Sequence, residues 1–180
     1  HSPLTIPELQ NDCLCYLQYN GKPVKAARLF AGYEHDEGLK RIAAHFNSDV
    51  TQFSRIVPDP AIIAKLRGIT SRKSFAEQDL SLFESSAEAY HSLMLDIIHR
   101  QQASTRLILK GDTVRKIFVD GGFSKNPLFM RLLAESFPQM EVYAASVAQA
   151  SAIGTAMAVR RHWNTKPGPE NIIKLERPVI

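Results

Sequence analysis

The sequence predicts an α/β fold, a mixed sheet with helices on its faces, and three observations carry that prediction. Two strand-like runs flank Asn20-Gly21, the strongest short-range hairpin signal a sequence offers. A long helical pattern, with Leu80, Phe83, Ala87, Tyr90, Met94 and Ile97 three or four residues apart, follows a capping-box motif at Ser74. The stretch KIFVDGGFSKNPLFMRLLAESF, residues 116–137, then reads as strand, glycine pair and helix.

Taken in order, residues 1–10 form a lead-in with turn chemistry at Pro3 and Pro7. Strands over 13–19 and 24–30 pair across Asn20-Gly21. Ala31-Gly32 closes the second strand, and Glu34, Asp36 and Glu37 suit the first turn of a helix, where the macrodipole favours acids. With Leu39, Ile42, Ala43 and Phe46 at helical spacing, that helix covers 34–46. Residues 47–75 are less regular: Pro58 and Pro60 punctuate, a short helix fits 61–66, and Gly68 ends it. Arg55, Lys65, Arg67, Arg72 and Lys73 make this stretch basic, either a solvated face or a surface that steers an anionic ligand. The Ser74-Phe75-Ala76-Glu77 box starts the long helix, which runs to about 109 before Gly111-Asp112. His91 and His99 lie on it without an acidic companion at ligand spacing, so they read as surface or internally satisfied histidines.

Ile117, Phe118 and Val119 have the apolar character of a buried strand. Asp120-Gly121-Gly122 breaks it with residues whose missing Cβ lets another group approach the backbone. Asn126 is a good N-cap and Pro127 suits the first helical position; Leu128, Leu132 and residues 134–137 supply the apolar stripe. Such an arrangement bares backbone N–H groups where a phosphate can sit, or serves only to pack a helix on a sheet. A short strand follows at 141–144, then a second capping box, Ser146-Val147-Ala148-Gln149. The helix after it carries Ala150, Gly154 and Ala158 at intervals of four, a small-residue face that predicts close approach of a neighbour. Lys166-Pro167-Gly168-Pro169 ends it, and 170–180 is a tail that packs on something or frays.

At 180 residues the chain can bury a real core, as one domain or as one lobe of a larger protein. Its 44% hydrophobic and 22% charged residues are ordinary for a globular protein. The formal charge of +4 is modest and its basic residues are scattered, so nucleic-acid binding is not expected. Cys13 and Cys15, two apart on a strand, read as small hydrophobes in a reducing compartment, and cytoplasm is the default. No apolar run is long enough to span a membrane. His1-Ser2-Pro3 without a Met suggests a piece of a longer protein, and a homodimer is left open.

VDGGFSKNPLFMRLLAESF, followed by VYAASVAQASAIGTAMA, resembles the C-terminal nucleotide-binding lobe of the FGGY family of carbohydrate kinases, most specifically over residues 114–160. The resemblance implies a ribonuclease H-like lobe of the actin/hexokinase type over residues 1–180, with ATP and sugar held between it and an N-terminal lobe absent from this chain. It implies that Gly121 and Gly122 touch the α-phosphate and ribose through their backbone. Ser124 and Asn126 fall where side chains approach the nucleotide, Asn126 near adenine. Phe123 stands where many members have a small residue, and either flanks the base or turns into the core. Gly32, at the other strand–glycine–helix junction, is a nucleotide contact or only the glycine of the turn. Gln149 replaces a frequent Glu and is given no nucleotide role. No catalytic residue is expected in this chain: the aspartate base, the phosphate hairpin, the sugar site and the Mg²⁺ ligands belong to the other lobe. The implied activity is transfer of the γ-phosphate of ATP to a ketose or polyol hydroxyl, leaving ADP, with this lobe inactive alone. The hairpin and LFAGYEHDE look most like the rhamnulokinase/fuculokinase side of the family. The rivals are a non-catalytic actin-like scaffold that kept the lobe, and an interaction domain that uses residues 55–73 to hold an acidic partner.

Overall fold

Residues 4–18, 20–69, 73–109, 114–146, 150–162, 164–166 and 174–178 are described by the computed structural model. The chain opens with a short helix, α1 (Ile6–Gln10), where the prolines predict only a turn; Thr5 and Glu8 close a capping box around its start. Glu8 is buried and pairs with Lys25 at 2.6 Å, which ties α1 to the hairpin that follows. That hairpin is β1 (Cys13–Leu17) and β2 (Pro23–Ala27), antiparallel, with Leu17 opposite Pro23. Its strands are shorter than the predicted 13–19 and 24–30 because the turn takes more residues than Asn20-Gly21 alone. Gln18 N–H donates to the Lys22 carbonyl, Gly21 N–H donates to the Gln18 carbonyl, and Gly21 sits at φ 77°.

Helix α2 (Ala31–Phe46) begins ahead of the predicted residue 34, so Gly32 lies inside its first turn rather than at the end of a strand. Asn47, in the left-handed region, terminates it. A 3-10 turn (Val50–Arg55) leads to α3 (Pro60–Arg67), whose free N–H groups at Ala61 and Ile62 are taken by Asp59 Oδ1.

The capping box at Ser74 forms, yet it begins only a 3-10 turn, Phe75–Glu77; a second turn, Leu80–Leu82, follows on an Asp79 cap. The long helix, α4, starts at Ser86 and ends at Leu109. Arg41 of α2 holds this turn region, its guanidinium donating to the carbonyls of Phe75 and Gln78. Helix α4 is the centre of the core. Tyr90, Met94 and Ile97 on it are essentially inaccessible, as are Ile42 of α2 and Phe53. Each such side chain contributes about 1.5–3 kcal/mol by leaving water. His91 is buried and satisfied, its Nδ1 donating to the Ala87 carbonyl and its Nε2 accepting from Asp59 N–H; His99 is exposed.

Strand β3 (Lys116–Val119) pairs in parallel with β4 (Glu141–Ser146), Ile117 opposite Val142, and α5 (Pro127–Ser136) forms the crossover between them. Leu128, Leu132 and Leu133 of α5 are buried, joining this sheet to α4's core. Helix α6 (Ala150–Val159) follows, and within the predicted tail β5 (Lys174–Glu176) adds antiparallel to β4. The described residues thus form a two-stranded antiparallel sheet and a mixed three-stranded one, with helices packed between and around them. Among the described residues nothing lies within 4 Å of where a Cβ on Gly154 would stand, so the expected close neighbour is not met at that glycine. The second capping box with Gln149, and Gly111-Asp112, lie outside the described residues, save for the backbone of Ser146.

Candidate functional site

The turn after β3 is built from backbone. Gly121 takes φ 78°, ψ −154°, a region open essentially to glycine alone, and its N–H donates to Asp120 Oδ1 at 2.8 Å. Between strand and helix, where the sequence predicts a glycine break ahead of the Asn126 cap, the chain makes a 3-10 turn, Gly122–Lys125. Ser124 and Asn126 N–H return to the carbonyls of Gly121 and Phe123. The N–H groups of Gly122 and Phe123, the first of the turn, meet no acceptor among the described residues.

Open space stands over this turn. A Cβ at Gly122 would meet nothing within 4 Å, and the same holds at Gly32. Both glycines line one cleft of about 440 Å³. One wall is the face of α2 that carries Gly32, His35, Asp36 and Leu39, residues three and four apart and therefore neighbours on a helix surface. The facing wall is Gly122, Phe123, Lys125 and Asn126, and Tyr90 of α4 reaches in between. The structure therefore brings Gly32, Gly122, Phe123 and Asn126 together. Gly121 and Ser124 do not line this cleft. The Ser124 hydroxyl donates back to the Gly121 carbonyl, and its residue faces a separate hollow beside Arg131 and Arg177.

Phe123 packs against the core and lines the cleft as well. Its ring stacks on Phe129 at 4.3 Å between centroids and meets His35 edge-on at 5.4 Å. Asn126 is committed at both ends of its amide: Oδ1 accepts from Phe129 N–H at 3.0 Å, capping α5, and Nδ2 donates to the Tyr90 hydroxyl at 2.6 Å. That hydroxyl also contacts His35 Nε2 at 3.3 Å, and His35 Nδ1 faces Asp36 Oδ1 at 3.4 Å. Burial pushes the Tyr90 phenol above its ordinary pKa, against the opposing pull of Asn126. Lys125 is exposed at the cleft edge with no carboxylate partner among the described residues.

His35 and Tyr90 escape the sequence reading. For His35 and Asp36 a signal exists, since they stand in the first turn of the predicted helix, just after Gly32; for Tyr90, fifty-five residues from His35, none does. Among the described residues no group of three or more His, Cys, Asp and Glu side chains is placed to hold a metal ion. No helix there is long and apolar enough to cross a membrane. A larger cavity, about 520 Å³, lies between α2, the Phe75 turn and α4, but its charges engage one another: Arg100 pairs with Glu34 and Asp96, and Arg41 holds the turn.

Comparison with known proteins adds an independent line. Residues 25–162 match the model of the FGGY family of carbohydrate kinases, C-terminal domain. No match was found among curated proteins. A solved structure, the crystal structure of a carbohydrate kinase from Novosphingobium aromaticivorans, is similar at a TM-score of 0.63 and 22% identity, over 98% of this chain and 38% of that one. That likeness speaks for the fold, and it shows that the chain spans 38% of the length of the kinase it resembles.

Proposed function

Since this chain belongs to the FGGY family of carbohydrate kinases and matches its C-terminal domain, we propose that it forms the nucleotide-binding lobe of an ATP-dependent sugar kinase. The second lobe of that kinase carries the catalytic aspartate, the sugar pocket and the Mg²⁺ ligands. The observation that carries the reading is the pairing of unfilled space at Gly122 and Gly32 with bared N–H groups at Gly122 and Phe123, on one cleft. Bared amides at a 3-10 turn suit an anion, and absent Cβ atoms let it come close.

In the reaction, a ketose or polyol hydroxyl attacks the γ-phosphorus of ATP; the new O–P bond forms, the β,γ-bridging O–P bond breaks, and the hydroxyl proton passes to the other lobe's aspartate. Residues here do the holding. Gly122 and Phe123 donate backbone N–H groups to the nucleotide, Gly32 leaves room for it, and Lys125 adds positive charge at the rim. Phe123, locked between His35 and Phe129, forms a firm apolar wall beside them. Gly121 sets the bend that presents Gly122, and Ser124 braces it through the Gly121 carbonyl. Positioning of this kind is the main lever in phosphoryl transfer, where the protein does little covalent chemistry.

The test is ATP-dependent phosphorylation by the full-length protein across a panel of ketoses and polyols, with ADP affinity measured by calorimetry in parallel. Gly122→Val should abolish ADP binding with the fold retained, because the valine occupies the phosphate's place. Unchanged ADP affinity in that variant overturns the site. ADP binding without turnover of any sugar would instead favour the non-catalytic scaffold.

A further inference from the structure

The cleft's two walls meet through the edge-on contact of Phe123 with His35 and, beneath it, through one buried hydroxyl. Tyr90 is 1% exposed, its ring lies against Phe53 at 5.3 Å, and its hydroxyl is the point where the α2 wall and the Asn126 wall meet. The proton order of this network follows from chemistry. Asn126 Oδ1 is fixed by the N–H of Phe129, so the group it turns to Tyr90 is the amide N–H, a donor. Tyr90 oxygen therefore accepts, and its own proton is left for His35 Nε2. That places the His35 proton on Nδ1, facing Asp36. The result is a directed chain of donors, from Asn126 through Tyr90 and His35 to Asp36, running under the cleft from one wall to the other.

We propose that Tyr90 is a positioning residue for the nucleotide: its buried hydroxyl sets the orientation of His35 and Asn126 and so the spacing of the two walls that hold it. This rests on the cleft being the nucleotide site. The test is Tyr90→Phe in the full-length kinase, which keeps the ring and removes only the oxygen. We expect KM for ATP and Kd for ADP to rise about tenfold, with kcat and the sugar KM within twofold. A tyrosine that serves stability alone would lower the melting temperature and leave KM for ATP where it was, and that result overturns the proposal. His35→Phe is the second variant, since it keeps the edge-on contact to Phe123 and breaks the same chain; if Tyr90→Phe does not fold, an unchanged KM for ATP in His35→Phe overturns the proposal equally. Gly122→Val run alongside separates the two ideas. If it abolishes ADP binding while Tyr90→Phe behaves as wild type, the cleft stands and only the positioning role falls; if Gly122→Val binds ADP normally, the cleft itself is wrong.

Discussion

Leu93 of α4 lies so close to Gly38 of α2 that a Cβ on Gly38 would stand 2.6 Å from both Leu93 Cδ atoms. The two helices come this close because Gly38 has no side chain, and Leu93 is buried, 2% exposed. Gly38→Ala sets two effects against each other. Alanine gains up to about 1 kcal/mol of helix propensity, while overpacking a tight core costs about 1–3 kcal/mol. Overpacking wins, and the melting temperature should fall by about 2–4 °C for a chain of this size. A melting temperature at or above wild type would show that Leu93 repacks freely.

Gly38 also shows where sequence reading stops. Local chemistry was legible: Asn20-Gly21 marked the hairpin, and Asn126-Pro127 marked the start of α5, because turn and cap signals act within a few residues. The open backbone at Gly122 was legible too, through glycine's missing Cβ. Choices made at long range were not. The Ser74 box is real, but it opens only a 3-10 turn, which Arg41, more than thirty residues away, holds through the carbonyls of Phe75 and Gln78. Close helix contact was expected at Gly154 from a small-residue stripe and occurs instead at Gly38, set among charged residues with no such stripe. The cleft's floor depends on Tyr90, which a helical pattern marks only as another core position.

Asn126 holds two jobs that substitutions can separate. Asn126→Ala removes the cap on α5 and should cost about 0.5–2 kcal/mol. Asn126→Ser restores an oxygen for Phe129 N–H and leaves Tyr90 without its donor. Thermal melts should therefore recover in the serine variant, while ADP affinity in the full-length protein stays weakened and pyrophosphate affinity does not change. Equal losses for ADP and pyrophosphate would count against a place for Asn126 near the base.

Glu8 gives the chain an acid-sensitive clasp. The hydrogen bond from Lys25, helped by Thr5 N–H, lowers its pKa from 4.5 to about 2. A carboxylate whose folded pKa is depressed contributes stability in full above its unfolded pKa and loses it as pH falls through the folded one. The contribution from the α1–hairpin contact should thus be intact above about pH 4.5 and fade toward pH 2. Glu8→Gln should flatten the stability-versus-pH curve in that window; denaturant melts at pH 2.5 and 6 that keep the wild-type difference would refute it.

Three glycines near the cleft should respond to substitution in three ways. Gly121→Ala strains a backbone at φ 78°, ψ −154°, which costs about 1–3 kcal/mol even though the space beside it is empty. Gly122 has no such φ, so its valine variant should fold and fail only in ADP binding. Gly32 sits in the first turn of α2 with nothing within 4 Å of a new Cβ, so Gly32→Ala should be neutral or stabilise by up to about 1 kcal/mol through the unfolded chain. Its methyl group points into the same cleft, and ADP affinity should drop several-fold in a protein that melts no lower than wild type. A Gly32→Ala protein with wild-type ADP affinity would reduce Gly32 to the glycine of a junction, leaving the nucleotide to the Gly122 wall.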